Sequence, residues 1–202
     1  MKNKSKTICI LSGIAVICIL LCLFIAKLYR DKTNTVEVSI EQGHILEEYL
    51  VIEGLEKDYE LLFITDTHVI VQSEEDDAQT KDNANSRYPG FCDAAGVPAE
   101  EQFPYWMEYA NERDVDAVLF GGDIIDYPSE SNIAFLNENV SKLQMPYLYT
   151  LGNHDWTYPW EYMTEKAQTE YIPLLQPVIE DKGTIEVMDM GEFLVVSVDN
   201  SS

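Results

Sequence analysis

A short apolar run leads directly into polar, chemically competent residues in the segment ELLFITDTH, residues 60–68. The Leu, Phe and Ile side chains, bounded by polar residues, are typical of a central strand that is covered on both faces. Two further apolar runs end in the same way, in VDAVLFGGDIID at residues 115–126 and in PYLYTLGNHD at residues 146–155. The sequence therefore predicts three core strands, at residues 60–65, 115–120 and 146–151, each followed by a polar loop.

Amphipathic helices are predicted before the second and the third core strand. Residues 99–113 and 129–143 both place apolar side chains on one helical face. These side chains are Phe103, Trp106, Met107 and Ala110 in the first helix, and Ile133, Leu136, Val140 and Leu143 in the second. The alternation of strands and helices predicts an α/β fold with a parallel sheet.

Other segments carry weaker patterns. Residues 72–98 are polar and include Pro89-Gly90, which predicts a long loop. A helix is predicted within residues 161–171, and extended segments are predicted at residues 184–188 and 193–198. Residues 33–40 alternate as a half-exposed strand would, and residues 49–52 are a weaker strand candidate.

The three polar loops supply candidate metal ligands. Because the carboxyl ends of parallel strands share one sheet edge, Asp66, His68, Asp123, Asn153 and His154 are expected to converge there. In an extended chain Asp66 and His68 would point to the same side, and the two oxygens of Asp123 could bridge two cations. Asn153 offers a neutral oxygen, and His154 is a candidate acid whose ring a carboxylate could orient. Each block alone also occurs in ordinary turns, so the prediction depends on their joint occurrence.

Together the blocks Asp66-x-His68, Gly122-Asp123-x-x-Asp126 and Gly152-Asn153-His154-Asp155 resemble the calcineurin-like metallophosphoesterase family over residues 59–199. The resemblance implies a layered α/β/β/α sandwich with two divalent metal ions, Mn, Fe or Zn. It also implies hydrolysis of a phosphate monoester or diester by a metal-activated hydroxide.

The resemblance further implies a role for each candidate residue. Asp66 and His68 would hold the first metal, Asp123 would bridge both metals, and Asn153 would hold the second. His154 would assist the leaving group or steady the phosphoryl oxygens.

One departure from the family concerns the end of the chain. No histidine follows His154, although the family completes its metal site there with a Gly-His-x-His block. The sandwich is therefore expected to be incomplete at its C-terminus, and the chain to be a fragment or a truncated copy. The alternative function is a non-catalytic or truncated domain that binds a cation or a partner.

The N-terminal part predicts a membrane attachment. After a basic tail at residues 1–6, residues 7–26 contain no charge, and a helix of that length spans about 30 Å. We interpret it as an uncleaved signal-anchor; the alternative is a cleaved secretory signal. Residues 27–58 form a juxtamembrane segment with leading strands, and residues 59–202 form the phosphoesterase domain. The expected location is the cell membrane, single-pass, with the catalytic domain extracytoplasmic.

Charge limits the classes of partner. The net charge is −23, and residues 33–202 hold 7 basic against 35 acidic residues. A domain with this excess of negative charge repels the phosphate backbone of nucleic acids, which argues against nucleic acid as a partner. The expected partners are a phosphorylated substrate and, through the N-terminal helix, the membrane; nothing in the sequence indicates a protein partner.

Overall fold

The structure is a computed structural model that describes residues 36–40, 43–179 and 184–201. Its contacts divide the chain between Glu53 and Gly54 into two compact units. The first unit contains an antiparallel hairpin of β1 (Val36–Ile40) and β2 (Gly43–Glu47). The strand predicted in residues 33–40 is confirmed where it is described. The strand candidate at residues 49–52 is wrong. These residues form no strand, and β1 pairs with β2, which ends just before them.

The second unit is built on a three-stranded parallel sheet. Its strands are β3 (Leu61–Ile64), β4 (Ala117–Phe120) and β5 (Tyr147–Tyr149), and β4 lies in the centre. All three predicted core strands are therefore confirmed, each one or two residues shorter at one or both ends. Because both pairings are parallel, the three polar loops open on the same edge of this sheet.

Two long helices pack against the sheet as predicted. Helix α2 (Ala99–Arg113) begins with two acidic residues in its first turn, where the helix dipole favours negative charge. Helix α3 (Glu130–Val140) begins after Ser129, whose hydroxyl accepts the Asn132 N–H at 3.2 Å. The predicted apolar faces join strand residues in one core cluster that includes Phe103, Met107, Leu136 and Phe120.

The predicted loop at residues 72–98 is wrong in its central part. It contains helix α1 (Ala78–Arg87) and a 3₁₀ turn, Tyr88–Phe91. The carboxylate of Asp77 caps α1 by accepting the Thr80 N–H at 2.7 Å. Sequence patterning missed the helix because it is polar on nearly every face, with only Thr80 and Ala84 buried.

Short helices follow the third strand. They are α4 (Asn153–Trp156), α5 (Glu165–Tyr171), a 3₁₀ turn (Ile172–Leu175) and α6 (Gln176–Ile179). The helix predicted within residues 161–171 begins only at Glu165, since the Thr164 hydroxyl caps it by accepting the Ala167 N–H at 3.0 Å.

The two extended segments predicted near the end of the chain form an antiparallel hairpin. Strands β6 (Ile185–Asp189) and β7 (Leu194–Val198) pair with each other, and Tyr59 donates its hydroxyl proton to the Met190 carbonyl at 2.9 Å. One face of this hairpin exposes five apolar side chains, each 54–63% accessible: Ile185, Val187, Leu194, Val196 and Val198. The predicted sandwich is thus observed in a coarser form, as helices against a parallel sheet with a separate antiparallel hairpin.

The predicted membrane span cannot be compared with the fold, because residues 7–26 lie outside the described residues. Across the part of the chain that the structure describes, no helix is both long and apolar enough to cross a bilayer.

A candidate metal centre at the ends of the parallel strands

The pairing between β3 and β4 is interrupted where the first two polar blocks lie. The regular hydrogen-bond ladder ends at Ile64 and Phe120, and the two segments pair again at a parallel bridge between Val69 and Ile125. Between these points the contact is kept by irregular hydrogen bonds, among them Asp66 N–H to the Gly122 carbonyl at 3.0 Å. The interruption frees the intervening side chains from the regular alternation of a strand.

The backbone in this interruption is left-handed at three candidate ligands. The φ angles are 53° at Asp66, 45° at His68 and 53° at Asp123. Left-handed conformations are uncommon outside glycine, although Asp and His adopt them more readily than most residues. The other described non-glycine residue with positive φ, Asp114, ends helix α2. Strained backbone is therefore concentrated at the predicted site, as is common where a ligand is bound.

The same three residues form a compact donor group. Ligand atoms of Asp66, His68 and Asp123 all lie within 4.8 Å of one another. Asp66 is exposed and the other two are half-buried, so the group is open to solvent. Two carboxylates and one imidazole are a suitable donor set for a divalent transition metal. The predicted reason for their proximity was wrong, however, since the chain at Asp66 and His68 is left-handed rather than extended.

Glycine allows the third block to approach the second. A Cβ atom on Gly152 would lie 2.1 Å from Oδ1 of Asp123, and one on Gly122 would lie 2.7 Å from the Gly152 nitrogen. Any larger residue at 152 would displace the candidate bridging carboxylate. The close approach also lets the His154 N–H donate to Oδ1 of Asp123 at 2.9 Å.

Asp155 fixes the two blocks to each other. Its buried carboxylate accepts N–H groups from Asp123 at 3.0 Å, Ile124 at 2.9 Å, Ile125 at 3.1 Å and Gly152 at 2.8 Å. Burial raises the pKa of Asp155 to about 6, so the group is still mainly ionised at pH 7. Asp155 therefore organises the backbone beneath the site and does not face the ring of its neighbour His154.

The carboxylate that orients His154 belongs to Asp126. Nδ1 of His154 lies 2.9 Å from the Asp126 carbonyl and 3.2 Å from Oδ1. Nδ1 of His68 lies 3.0 Å from the same Oδ1. Arg87 donates from Nε and Nη2 to the two carboxylate oxygens, both at 2.5 Å. A single buried carboxylate thus binds both imidazoles and one guanidinium.

These contacts shift the pKa values of the groups involved. Burial alone would raise the pKa of Asp126, but hydrogen bonds from Arg87, His154 and His68 outweigh it and hold that pKa well below its usual range. The hydrogen bond to Asp126 raises the pKa of His154 above its ordinary value, although burial opposes this. Asp126 is consequently a permanent anion behind the two rings.

His68, Asp126 and His154 form a second group whose ligand atoms lie within 4.8 Å of one another. The charge of this group is already balanced by the Arg87 guanidinium, which would repel a metal ion. Both described hydrogen bonds of Arg87 go to Asp126 and not to the carboxylates of the first group, and Nε2 of His68 remains for a ligand because Nδ1 is bound to Asp126. The residues of the first group therefore fit a divalent metal better.

All five predicted site residues thus lie at one edge of the sheet. Asn153 is the first residue of α4, next to His154, and its role as a ligand stays a prediction. Sequence reasoning missed Arg87, which lies 39 residues before Asp126 in a segment predicted to be a loop. No local pattern marked it, since its partner becomes visible only once α1 is folded.

Comparison with known families gives the same assignment as the geometry. No curated protein matches the chain at a significant level. A family model, the calcineurin-like phosphoesterases, matches residues 59–196, which is more than half of the chain. This match runs from before β3 into β7 and therefore includes every block of the candidate metal centre. With strand ends, donor residues and family model in agreement, the chain belongs to the calcineurin-like phosphoesterase family.

Proposed function

We propose that this protein hydrolyses a phosphate monoester or diester with the help of two divalent metal ions, Mn, Fe or Zn. The observation that carries the proposal is the group of Asp66, His68 and Asp123, whose ligand atoms lie within 4.8 Å of one another at a strained strand end. Asp66 and His68 would hold the first metal and Asp123 would bridge to the second, where Asn153 is the further ligand.

The chemistry of the substrate explains the need for such a site. A phosphoryl centre is shielded by its own negative charge, and two bound cations would screen that charge and activate a water molecule. The protein's own contribution is orientation. His154 is held at Nδ1 by Asp126, so its Nε2 is the nitrogen able to pass a proton to the leaving-group oxygen or to steady a phosphoryl oxygen.

The test combines metal binding with turnover. The purified full chain is titrated with Mn²⁺ by calorimetry and assayed with p-nitrophenyl phosphate and bis(p-nitrophenyl) phosphate in the presence of Mn²⁺, Fe²⁺ or Zn²⁺. Asp123→Asn should abolish turnover, whereas Asp58→Asn, an exposed carboxylate outside the site, should not change it. Retained turnover in folded Asp123→Asn would exclude Asp123 as the bridging ligand.

A second candidate function is cation binding without catalysis. It is favoured by the small number of candidate ligands for the second metal, which within the described residues are Asp123 and Asn153. Calorimetry separates the two functions, because this alternative predicts one Mn²⁺ per chain and no turnover of either ester. Two ions per chain with turnover would exclude it.

The location is proposed from the sequence alone. Residues 7–26 would anchor the protein in the cell membrane and place the catalytic domain outside the cytoplasm, close to lipid-linked or envelope phosphates. Cell fractionation tests this: the full chain should sediment with membranes, and a chain lacking residues 1–32 should not. Accessibility of the domain to added protease in intact cells tests the orientation.

A further inference from the structure

Arg87 is the one arginine that the described structure brings to the candidate metal centre, and its two hydrogen bonds go to Asp126, which is not part of the donor group of Asp66, His68 and Asp123. Its guanidinium binds both oxygens of the fully buried Asp126 carboxylate in a fork, at 2.5 Å for each contact. This paired geometry fixes the plane and the position of the carboxylate, which a single hydrogen bond would not do.

The carboxylate that Arg87 fixes is shared by both site histidines. Nδ1 of His68 lies 3.0 Å from Oδ1 of Asp126, and Nδ1 of His154 lies 3.2 Å from the same atom and 2.9 Å from the Asp126 carbonyl. The two rings lie 4.6 Å apart at an interplanar angle of 79°, so they are held in different planes around one atom. With each Nδ1 bound, the direction of each Nε2 depends on where Asp126 sits.

The same segment also holds His68 from its face. The ring of Phe91, in the 3₁₀ turn after α1, stacks on the His68 imidazole with centroids 4.4 Å apart and planes 13° apart. The Arg87 guanidinium lies 5.2 Å from the centre of that Phe91 ring. His68 is therefore fixed at its edge through Arg87 and Asp126, and at its face by Phe91.

The segment is itself anchored away from the metal centre. Ala84 of α1 is completely buried, and the Tyr88 hydroxyl donates to Glu100 of helix α2 at 2.5 Å. Ala84 packs with Ile70 and Tyr127, so these two contacts tie the middle and the end of the segment to the body of the domain, while the Asp77 cap stabilises the start of α1. Because the segment is held in place, its Arg87 side chain can keep the Asp126 carboxylate in a fixed position.

We propose that Arg87 is a positioning residue, which orients His68 for metal binding and His154 for catalysis by holding Asp126 between them. It touches neither metal nor substrate, and its effect passes through the two imidazoles. This proposal rests on the proposed metal-dependent function, because it assigns Arg87 a role in that same site.

The test measures Mn²⁺ affinity by calorimetry on the purified full chain, its Arg87→Ala and Arg87→Lys variants, and a matched control. The control is Arg113→Ala, which removes an arginine whose Nε forms an exposed ion pair with Glu60, at the amino end of β3 and so opposite to the carboxyl ends that carry the site. Loss of an outer partner of a metal ligand typically weakens binding 10–100-fold. Asp126 is that outer partner and Arg87 acts through it, so we expect a loss at the lower end of this range, about 10-fold, for Arg87→Ala, a smaller loss for Arg87→Lys, and less than a twofold change for the control.

Turnover gives a second readout. With p-nitrophenyl phosphate at saturating Mn²⁺, Arg87→Ala should lower kcat with little change in KM, since the substrate's own contacts remain. Guanidinium ion added at low millimolar concentration should restore part of the Mn²⁺ affinity of Arg87→Ala, and it should not affect the control. A purely structural defect would not respond in this way.

The outcomes separate this inference from the proposed function. If the wild-type chain does not bind Mn²⁺, the proposed metal-dependent function itself fails. If the wild type binds and folded Arg87→Ala binds equally well, only the positioning role of Arg87 is overturned. If Arg87→Ala does not fold, Arg87→Lys decides: wild-type affinity in a folded lysine variant would overturn the role of the paired contact.

Discussion

Asp155 offers the most quantitative test of how the site is organised. The Asp155→Ala change removes a buried acceptor of five hydrogen bonds, four from backbone N–H groups and one from the Tyr149 hydroxyl at 3.1 Å. Two of these donors, the N–H groups of Ile124 and Ile125, belong to fully buried residues, so water cannot replace the lost acceptor there. Each buried donor left unpaired costs about 1–3 kcal/mol. The expected loss in the free energy of unfolding is therefore about 4 kcal/mol.

The Asp155→Asn variant gives a graded comparison. Its remaining oxygen can keep the three contacts made at Oδ1, those with Ile124, Ile125 and Tyr149. The new NH₂ group then faces the N–H groups of Asp123 and Gly152, and these two hydrogen bonds are lost. We expect a loss of about 2 kcal/mol, or about half that of Asp155→Ala.

The assay is urea unfolding at pH 7.5, followed by tryptophan fluorescence, with Asp58→Ala as an exposed control. For a slope of about 2 kcal/mol per molar urea, Asp155→Asn should lower the midpoint by about 1 M, and the control by less than about 0.3 M. If both Asp155 variants lose less than about 1 kcal/mol, the carboxylate does not hold the blocks together as the hydrogen bonds indicate.

Three further predictions concern the site and the hairpin. Gly152→Ala should abolish Mn²⁺ binding measured by calorimetry and also lower Tm, because its Cβ would lie 2.1 Å from Oδ1 and 2.4 Å from the backbone nitrogen of Asp123; wild-type affinity would contradict the close approach. Because the pKa of His154 is raised in the folded protein, its protonated ring stabilises the metal-free fold below pH 6.5, and this stabilisation is lost as the pH rises through the folded-state pKa. His154→Gln should therefore flatten the decline of Tm between pH 6 and 8.5, and an unchanged slope would contradict this explanation. Replacing the exposed cross-strand pair by Val187→Lys and Val196→Glu should reduce self-association in light scattering with little loss of stability, and unchanged scattering would mean that this face does not drive association.

The elements with a strong apolar period could be predicted from the sequence. The three core strands and the helix Ala99–Arg113 were found because burial on a defined face leaves a regular pattern in the chain. Helix α1 could not be found in this way. Its sequence, AQTKDNANSR, buries only two small side chains, and its position depends on a cap at Asp77 and on contacts made far along the chain.

The candidate ligands were predictable, but the network behind them was not. Asp66, His68 and Asp123 each follow a recognisable strand, so their convergence follows from parallel pairing. The partners of Asp126 and Asp155 could not be assigned, because a carboxylate's hydrogen bonds depend on local backbone direction. Asp155 follows His154 directly and yet binds the backbone of residues 123–125, whereas Asp126 binds both histidine rings.

The strained backbone explains why the three blocks act as one unit. A left-handed conformation at a non-glycine residue costs about 1–3 kcal/mol, and it persists only where the surroundings enforce it. Here Asp66 and His68 each donate an N–H to the second block, to the carbonyls of Gly122 and Asp123, both at 3.0 Å. The second block is in turn fixed by the Asp155 carboxylate of the third block.

This interdependence bears on how a metal would bind. Hydrogen bonds between the blocks hold the donor atoms within 4.8 Å of one another, so a metal ion would meet a prearranged donor set. Strain in one block is balanced by hydrogen bonds from the next, and a substitution in any block should therefore disturb ligands in the others. The same interdependence explains why positions 122 and 152 are glycines. The backbones at these two positions lie in contact, and Asp123 lies between the two histidine-bearing blocks.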